Sequence, residues 1–180
     1  MSKKEMAMPP LVLTIICLVV TAALVGTYQF TKPYIAEAKA AAADEARREV
    51  FPGNVTFTLY EGALEVEGVT EVYEAYEGDV LAGYVVTSTS QGFGGPLVVM
   101  TGFDADGNIT GTKLVENAET PGLGTKVGET DHTSLYLEKN VDTYTEVDAI
   151  SGATISSDAF KEAVSYASQA FKTVAGGASK

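Results

Sequence analysis

The chain opens on an apolar run. From Leu11 to Gly26 only Thr14, Cys17 and Thr21 interrupt strongly apolar or small residues. With Met8–Pro10 and Thr27–Tyr28 the run approaches the roughly 20 residues that cross a bilayer, which predicts a single N-terminal transmembrane helix. Between Pro33 and Val50 the stretch IAEAKAAAADEARREV consists of strong helix formers, and Pro33 and Pro52 bracket it, predicting a helix that leads away from the membrane. From Val55 to about Val115 the pattern changes to short β-rich runs, VTFTLY, VTEVYEAY, VLAGYVVTSTS, PLVVMTGF and NITGTKLV, separated by Gly, Asp or Asn. Between Ser157 and Val174, Phe160, Ala163, Val164, Ala167, Phe171 and Val174 recur at spacings of three and four, the mark of an amphipathic helix that covers one face of a sheet. The predicted fold class is therefore α+β: one transmembrane helix, then a largely antiparallel sheet covered by helices. The predicted divisions are 1–30 for a cytoplasmic stub and anchor, 31–54 for a connecting helix, and 55–180 for an extracytoplasmic domain.

Charge sets the orientation and excludes some partners. Lys3 and Lys4 precede the apolar run and only Lys32 follows it closely, so the positive-inside bias puts the N-terminus in the cytoplasm and the rest outside. A cleaved signal peptide would have a shorter apolar core followed by a small-x-small site, and Gly26–Phe30 offers none. Lipidation of Cys17 would need a small residue before it, and Ile16 stands there. Of 12 Lys and Arg and 24 Asp and Glu, only Lys3, Lys4 and Glu5 lie before Thr31, leaving 10 bases, 23 acids and a net charge of −13 from there onward. Such a domain repels phosphate backbones, so nucleic acid is not a partner. Cys17 is the single cysteine, so the exported part has no disulfide and relies on its core.

Few residues offer chemistry of the familiar kinds. The one histidine, His132, lies in the polar stretch ETDHTS and reads as a solvated loop residue, and neither a Ser-His-Asp triad nor a zinc site has its parts. Asp104-Ala-Asp106-Gly107-Asn108 has its glycine in the wrong place for a calcium loop and reads as a hairpin turn. No metal site is expected. No spacing singles out one pair of carboxylates for acid and base work, so no catalytic residue is assigned. Two glycine loops remain, Gly92-Phe93-Gly94-Gly95-Pro96 and Glu119-Thr120-Pro121-Gly122-Leu123-Gly124, where bare backbone lets a flat ligand come close. Neither has the spacing of a dinucleotide fingerprint. From Asp148 to Ser157, small and hydroxyl residues crowd immediately before the last helix, including Ser151, Gly152, Ala153, Thr154 and Ser156. Free N–H groups and the positive end of the helix dipole suit a phosphate there; the alternative is that Ser156 or Ser157 caps the helix.

Asp148-x-x-Ser151-Gly152-Ala153-Thr154-x-Ser156 resembles the flavinylation motif of the FMN-binding domain family, in which a Ser or Thr hydroxyl carries FMN through a phosphodiester. The order of one N-terminal span, GFGGP, ETPGLG and SGATxS resembles, over nearly the whole chain, the G subunits of Rnf electron-transport complexes. It is less closely similar to the C subunits of sodium-pumping NADH:quinone reductases. The resemblance implies covalent FMN as cofactor, with Ser156 at the acceptor position and Thr154 as the other hydroxyl of the motif, the choice between the two staying open. It implies that Ser151, Gly152, Ala153, Glu119, Thr120, Gly122, Leu123 and Gly124 line the cofactor site. Where relatives often have a His shortly before ETPGLG, this chain has Glu116-Asn117-Ala118.

The function the resemblance implies is electron relay within a membrane complex that links ferredoxin and NAD to ion transport. Its partners would be the other subunits, the membrane, and a separate flavin transferase for maturation. Two other readings fit the residues alone: a cofactor-free exported binding module, and an exported FMN-dependent reductase of small molecules. The six Lys and Arg after Arg48 are widely scattered, which offers the reductase little to hold an anionic substrate.

Overall fold

The computed structural model describes residues 3–62 and 65–178. The chain separates into two compact units, Met1–Ala42 and Ala43–Lys180. The first unit is helical and belongs to α1 (Lys3–Val50). From Met8 the side chains of this unit are exposed. Among the described residues α1 is the one helix long and apolar enough to cross a membrane. It runs through Pro33, where the sequence predicts a start. Proline forfeits one backbone bond, and the strong helix formers that follow it carry the helix onward. Thr27 and Thr31 bond back to the carbonyls of Ala23 and Thr27, at 2.9 and 2.6 Å.

The second unit is built on a five-stranded antiparallel meander. Its strands are β1 (Thr56–Leu59), β2 (Val69–Glu77), β3 (Val80–Gln91), β4 (Pro96–Asp104) and β5 (Ile109–Glu116), adjacent in sequence order. All five follow the predicted runs. Segment 104–108 is the β4–β5 turn: Asp104 Oδ1 accepts the N–H groups of Asp106 and Asn108, at 3.0 and 2.9 Å, and Gly107 supplies the φ of 83°. After β5 come a 3₁₀ turn at Gly124–Gly128, the short α2 (Thr130–Thr133), further 3₁₀ turns at Ser134–Tyr136 and Tyr144–Glu146, and then α3 (Thr154–Ala178).

Side-chain alternation along the central strands gives the sheet two apolar faces. Tyr84, Val86, Leu97, Val99 and Phe103 face α3, which buries all six of its predicted apolar positions. Small residues let that helix lie close: Ser88 and Ser90 donate to the carbonyls of Ala163 and Ala159, at 2.8 and 2.6 Å. The opposite face, with Ala75, Val85 and Met100, packs against Ala46, Val50 and Phe51 at the end of α1. Paired Gly102 and Gly111 make room there, since a Cβ on either would come within 2.7 Å of Val50 backbone atoms.

Candidate functional site

Three segments meet at one end of the sheet: the β3–β4 hairpin loop, the loop after β5, and the first turn of α3. Two of them use the same device. In the loop after β5, Leu123 N–H bonds Thr120 O at 3.2 Å, so Pro121 and Gly122 form the corners of a turn, and Gly122 has a φ of 75°. Before α3, Ala153 N–H bonds Ile150 O at 2.9 Å, with Ser151 and Gly152 at the corners and a φ of 83° at Gly152. Glycine in the second corner is what such turns require. The two turns face each other, for a Cβ on Gly152 would stand 3.8 Å from Leu123 Cδ1.

The hairpin loop contributes backbone. Gly92 N–H closes onto Gly95 O at 2.9 Å, and Gly94 N–H reaches Glu119 Oε1 at 3.3 Å. Glu119 is 6% exposed, and its other oxygen accepts the hydroxyl of Ser156, itself 3% exposed, at 2.9 Å. Asn117 Oδ1 holds the Glu119 N–H at 3.1 Å. Glycines wall the carboxylate in: a Cβ on Gly92 or on Gly124 would lie 2.2 Å from one of its oxygens. Among the described residues Glu119 makes no salt bridge, so its buried oxygens rest on these two donors.

Above this buried pair lies a cleft of about 300 Å³. Phe93, Leu123 and Ile155 give it an exposed apolar rim, while Glu119, Thr154 and Ser156 are among its polar lining. The first α-helical bond of α3 runs from Ser157 N–H to Ala153 O at 2.9 Å, so the amides of Thr154, Ile155 and Ser156 have no partner within the helix.

The structure brings Glu119, Thr120, Leu123, Gly124, Gly152, Ala153, Thr154 and Ser156 together around this cleft. Gly122 and Ser151 shape the turns behind it. Neither serine caps α3: Ser156 bonds Glu119, and Ser157 Oγ accepts the N–H of Ile150 at 3.0 Å. The two motif hydroxyls differ in access, Thr154 being exposed and Ser156 buried. His132 departs from its predicted place in a solvated loop. It is 4% exposed, bonds Val127 O through Nδ1 at 2.9 Å, and packs edge-on to Tyr136 and Phe160. Its polar neighbours in sequence face outward while the ring turns into the core. Phe93, which the sequence singled out only as part of a glycine loop, joins the site because the hairpin carries it to the rim. Among the described residues no cluster of His, Cys, Asp and Glu could hold a metal ion.

Comparison with known proteins gives this cleft a context. The family model for the FMN-binding domain matches residues 92–169, a span that contains every residue lining the cleft, and the model for the RnfG N-terminal region matches residues 1–50. The chain is 31% identical over 180 residues to the G subunit of the ion-translocating oxidoreductase complex of Methanosarcina acetivorans, with 92% of this chain and 96% of the relative covered. It belongs to this G-subunit family. A second member, the G subunit of the Na⁺-translocating ferredoxin:NAD⁺ oxidoreductase complex of Acetobacterium woodii, is 30% identical over 187 residues, covering 91% of this chain and 90% of the relative. The corresponding protein of the proton-translocating complex of Clostridium ljungdahlii is 26% identical over 174 residues, covering 92% and 91%. The crystal structure of NqrC from Shewanella oneidensis shares the fold, with a TM-score of 0.52 at 19% identity over 73% of this chain and 74% of that one. This member of the family thus has an FMN-binding domain, and its relatives are subunits of ferredoxin:NAD⁺ oxidoreductase complexes.

Proposed function

We propose that this protein carries electrons within a membrane-bound, ion-translocating ferredoxin:NAD⁺ oxidoreductase complex, through FMN joined by a phosphodiester to Thr154. The observation that carries the reading is Thr154, an exposed residue at the start of α3 that lines a cleft inside the FMN-binding domain. The motif left Ser156 and Thr154 as alternatives, with Ser156 at the expected acceptor position. The burial of Ser156 and its bond to Glu119 favour Thr154, because a transferase must bring an activated flavin nucleotide to the hydroxyl.

The cleft suits the group. The first-turn amides of α3 face no helical partner and favour an anionic phosphate, Gly152 and Gly124 leave space beside the backbone, and Phe93, Leu123 and Ile155 offer apolar surface to a flat ring. Bound FMN would supply stepwise acceptance and release of electrons, a chemistry no side chain here provides. The chain's own task is then to hold, orient and partly shield. Glu119 ties the hairpin loop and α3 together below the cleft, and the paired Gly turns set its rim. Lys3 and Lys4 before the apolar run support a cytoplasmic N-terminus and an extracytoplasmic domain, matured there by a flavin transferase and docked to the other subunits.

The test is to co-produce the full chain with a flavin transferase in an exporting host, denature it, and look for flavin fluorescence on the protein band. Fluorescent wild type and dark Thr154→Ala are expected. A dark wild type beside a fluorescent positive control, or an undiminished Thr154→Ala, would contradict the proposal.

A further inference from the structure

The cleft holds one formal charge, that of Glu119, and it works against the pull of the α3 amides on a phosphate. Among the described residues its lining has no Lys or Arg, while Glu119 lies in its floor with both oxygens accepting hydrogen bonds. The carboxylate has no room to swing aside, because Gly92 and Gly124 stand against its two oxygens and Ser156 against one of them. Lys126, on the same loop, lines a different cleft with Glu129, Asp131 and Asp148. The domain around it carries a large negative excess.

Two electrostatic effects therefore oppose each other. The N-terminus of α3 acts as roughly half a positive charge. Glu119 supplies a full negative one. A free phosphate monoester brings about −1.5 to −2 charges at neutral pH, whereas a phosphodiester brings one. The sum is about half a negative charge, which opposes the monoester about twice as strongly as the diester, and the diester is held against it by its bond to Thr154.

We infer that Glu119 is a specificity-determining residue that makes the cleft reject free FMN, so that flavin stays only when its phosphate is esterified to the chain. This rests on the proposed flavin site and assigns it a selection rule: occupancy follows the transferase, and loose FMN does not fill the cleft of an unmodified chain. No bond is made or broken by Glu119.

The experiment uses the full chain in detergent, produced without any flavin transferase, titrated separately with FMN and with riboflavin and followed by flavin fluorescence. Riboflavin has the same ring and ribityl chain without the phosphate, so the ratio of the two Kd values isolates the phosphate. Riboflavin should bind about ten-fold or more tighter than FMN, the size expected of one unit-charge contact at a half-hydrated site. Glu119→Gln, which keeps the shape and the bond from Gly94 and needs Ser156 Oγ to turn from donor to acceptor, should abolish or reverse that preference.

Raising the salt from about 20 mM to about 1 M should narrow the wild-type ratio by screening. This second reading stands even if the variant fails to fold. If wild type binds neither flavin, FMN binding that appears in Glu119→Gln supports the inference, and its absence there overturns it. FMN favoured over riboflavin by wild type, or a ratio unmoved by both the variant and salt, also overturns it. Failure of the underlying site is read separately: wild type co-produced with the transferase and still lacking covalent flavin contradicts the proposed function, whatever the two Kd values are.

Discussion

A single imidazole is buried against α3, and its burial makes the fold sensitive to acid. Desolvation of His132 pulls its pKa below the ordinary 6.5, a nearby Lys161 adds to that, and the bond to Val127 O opposes it only in part. The folded protein thus takes up this proton less readily than the unfolded chain. Stability is complete above the unfolded value and drains as the pH falls below about 6.5 toward the folded value. Between about pH 7.5 and about pH 5.5 the wild-type Tm should fall more than that of His132→Gln, and equal falls would contradict this. The polar string around His132 gave no sign of burial, because the contacts that bury the ring come from Tyr136 on a 3₁₀ turn and Phe160 on α3. Glu119 was legible only through the ETPGLG motif. Among 23 acids after Thr31, what sets it apart is the glycine wall and the Ser156 bond, and these exist only once three loops have met.

At the scale of elements, periodicity was the reliable guide. Each of the five strands lies within a residue or two of its alternating run, because turn residues mark the ends and both sheet faces are buried. The last helix begins at Thr154, three residues before the predicted Ser157, since the turn at Ile150–Ala153 already starts the helical path without a hydroxyl cap. The short helical turns between Gly124 and Glu146 carry too few residues for any period to be read. The docking of the α1 end was equally hidden, for it depends on Gly102 and Gly111 pairing across two strands. Thr110 Oγ1 reinforces it by bonding Val50 O at 2.6 Å. Gly102→Ala places a Cβ 2.5 Å from that same carbonyl oxygen, and should cost about 1–3 kcal/mol, measured by chemical or thermal unfolding of the full chain. An unchanged midpoint would mean that the end of α1 does not bear on the sheet.

The whole molecule joins one apolar helix to an acidic domain whose cleft is lined by an exposed threonine, glycine backbone and an apolar rim. The sequence motif located that cleft; the difference in access between Thr154 and Ser156 came from the way the first turn of α3 is aimed. The proposed electron-carrying role rests on covalent attachment of flavin at this turn. The direct measurement is mass spectrometry of the full chain matured with a flavin transferase, first intact and then as proteolytic peptides. The expected result is a gain of one FMN less one water, localised by fragmentation to Thr154. An unmodified chain beside a modified control, or a flavin phosphate found on Ser156, would contradict it.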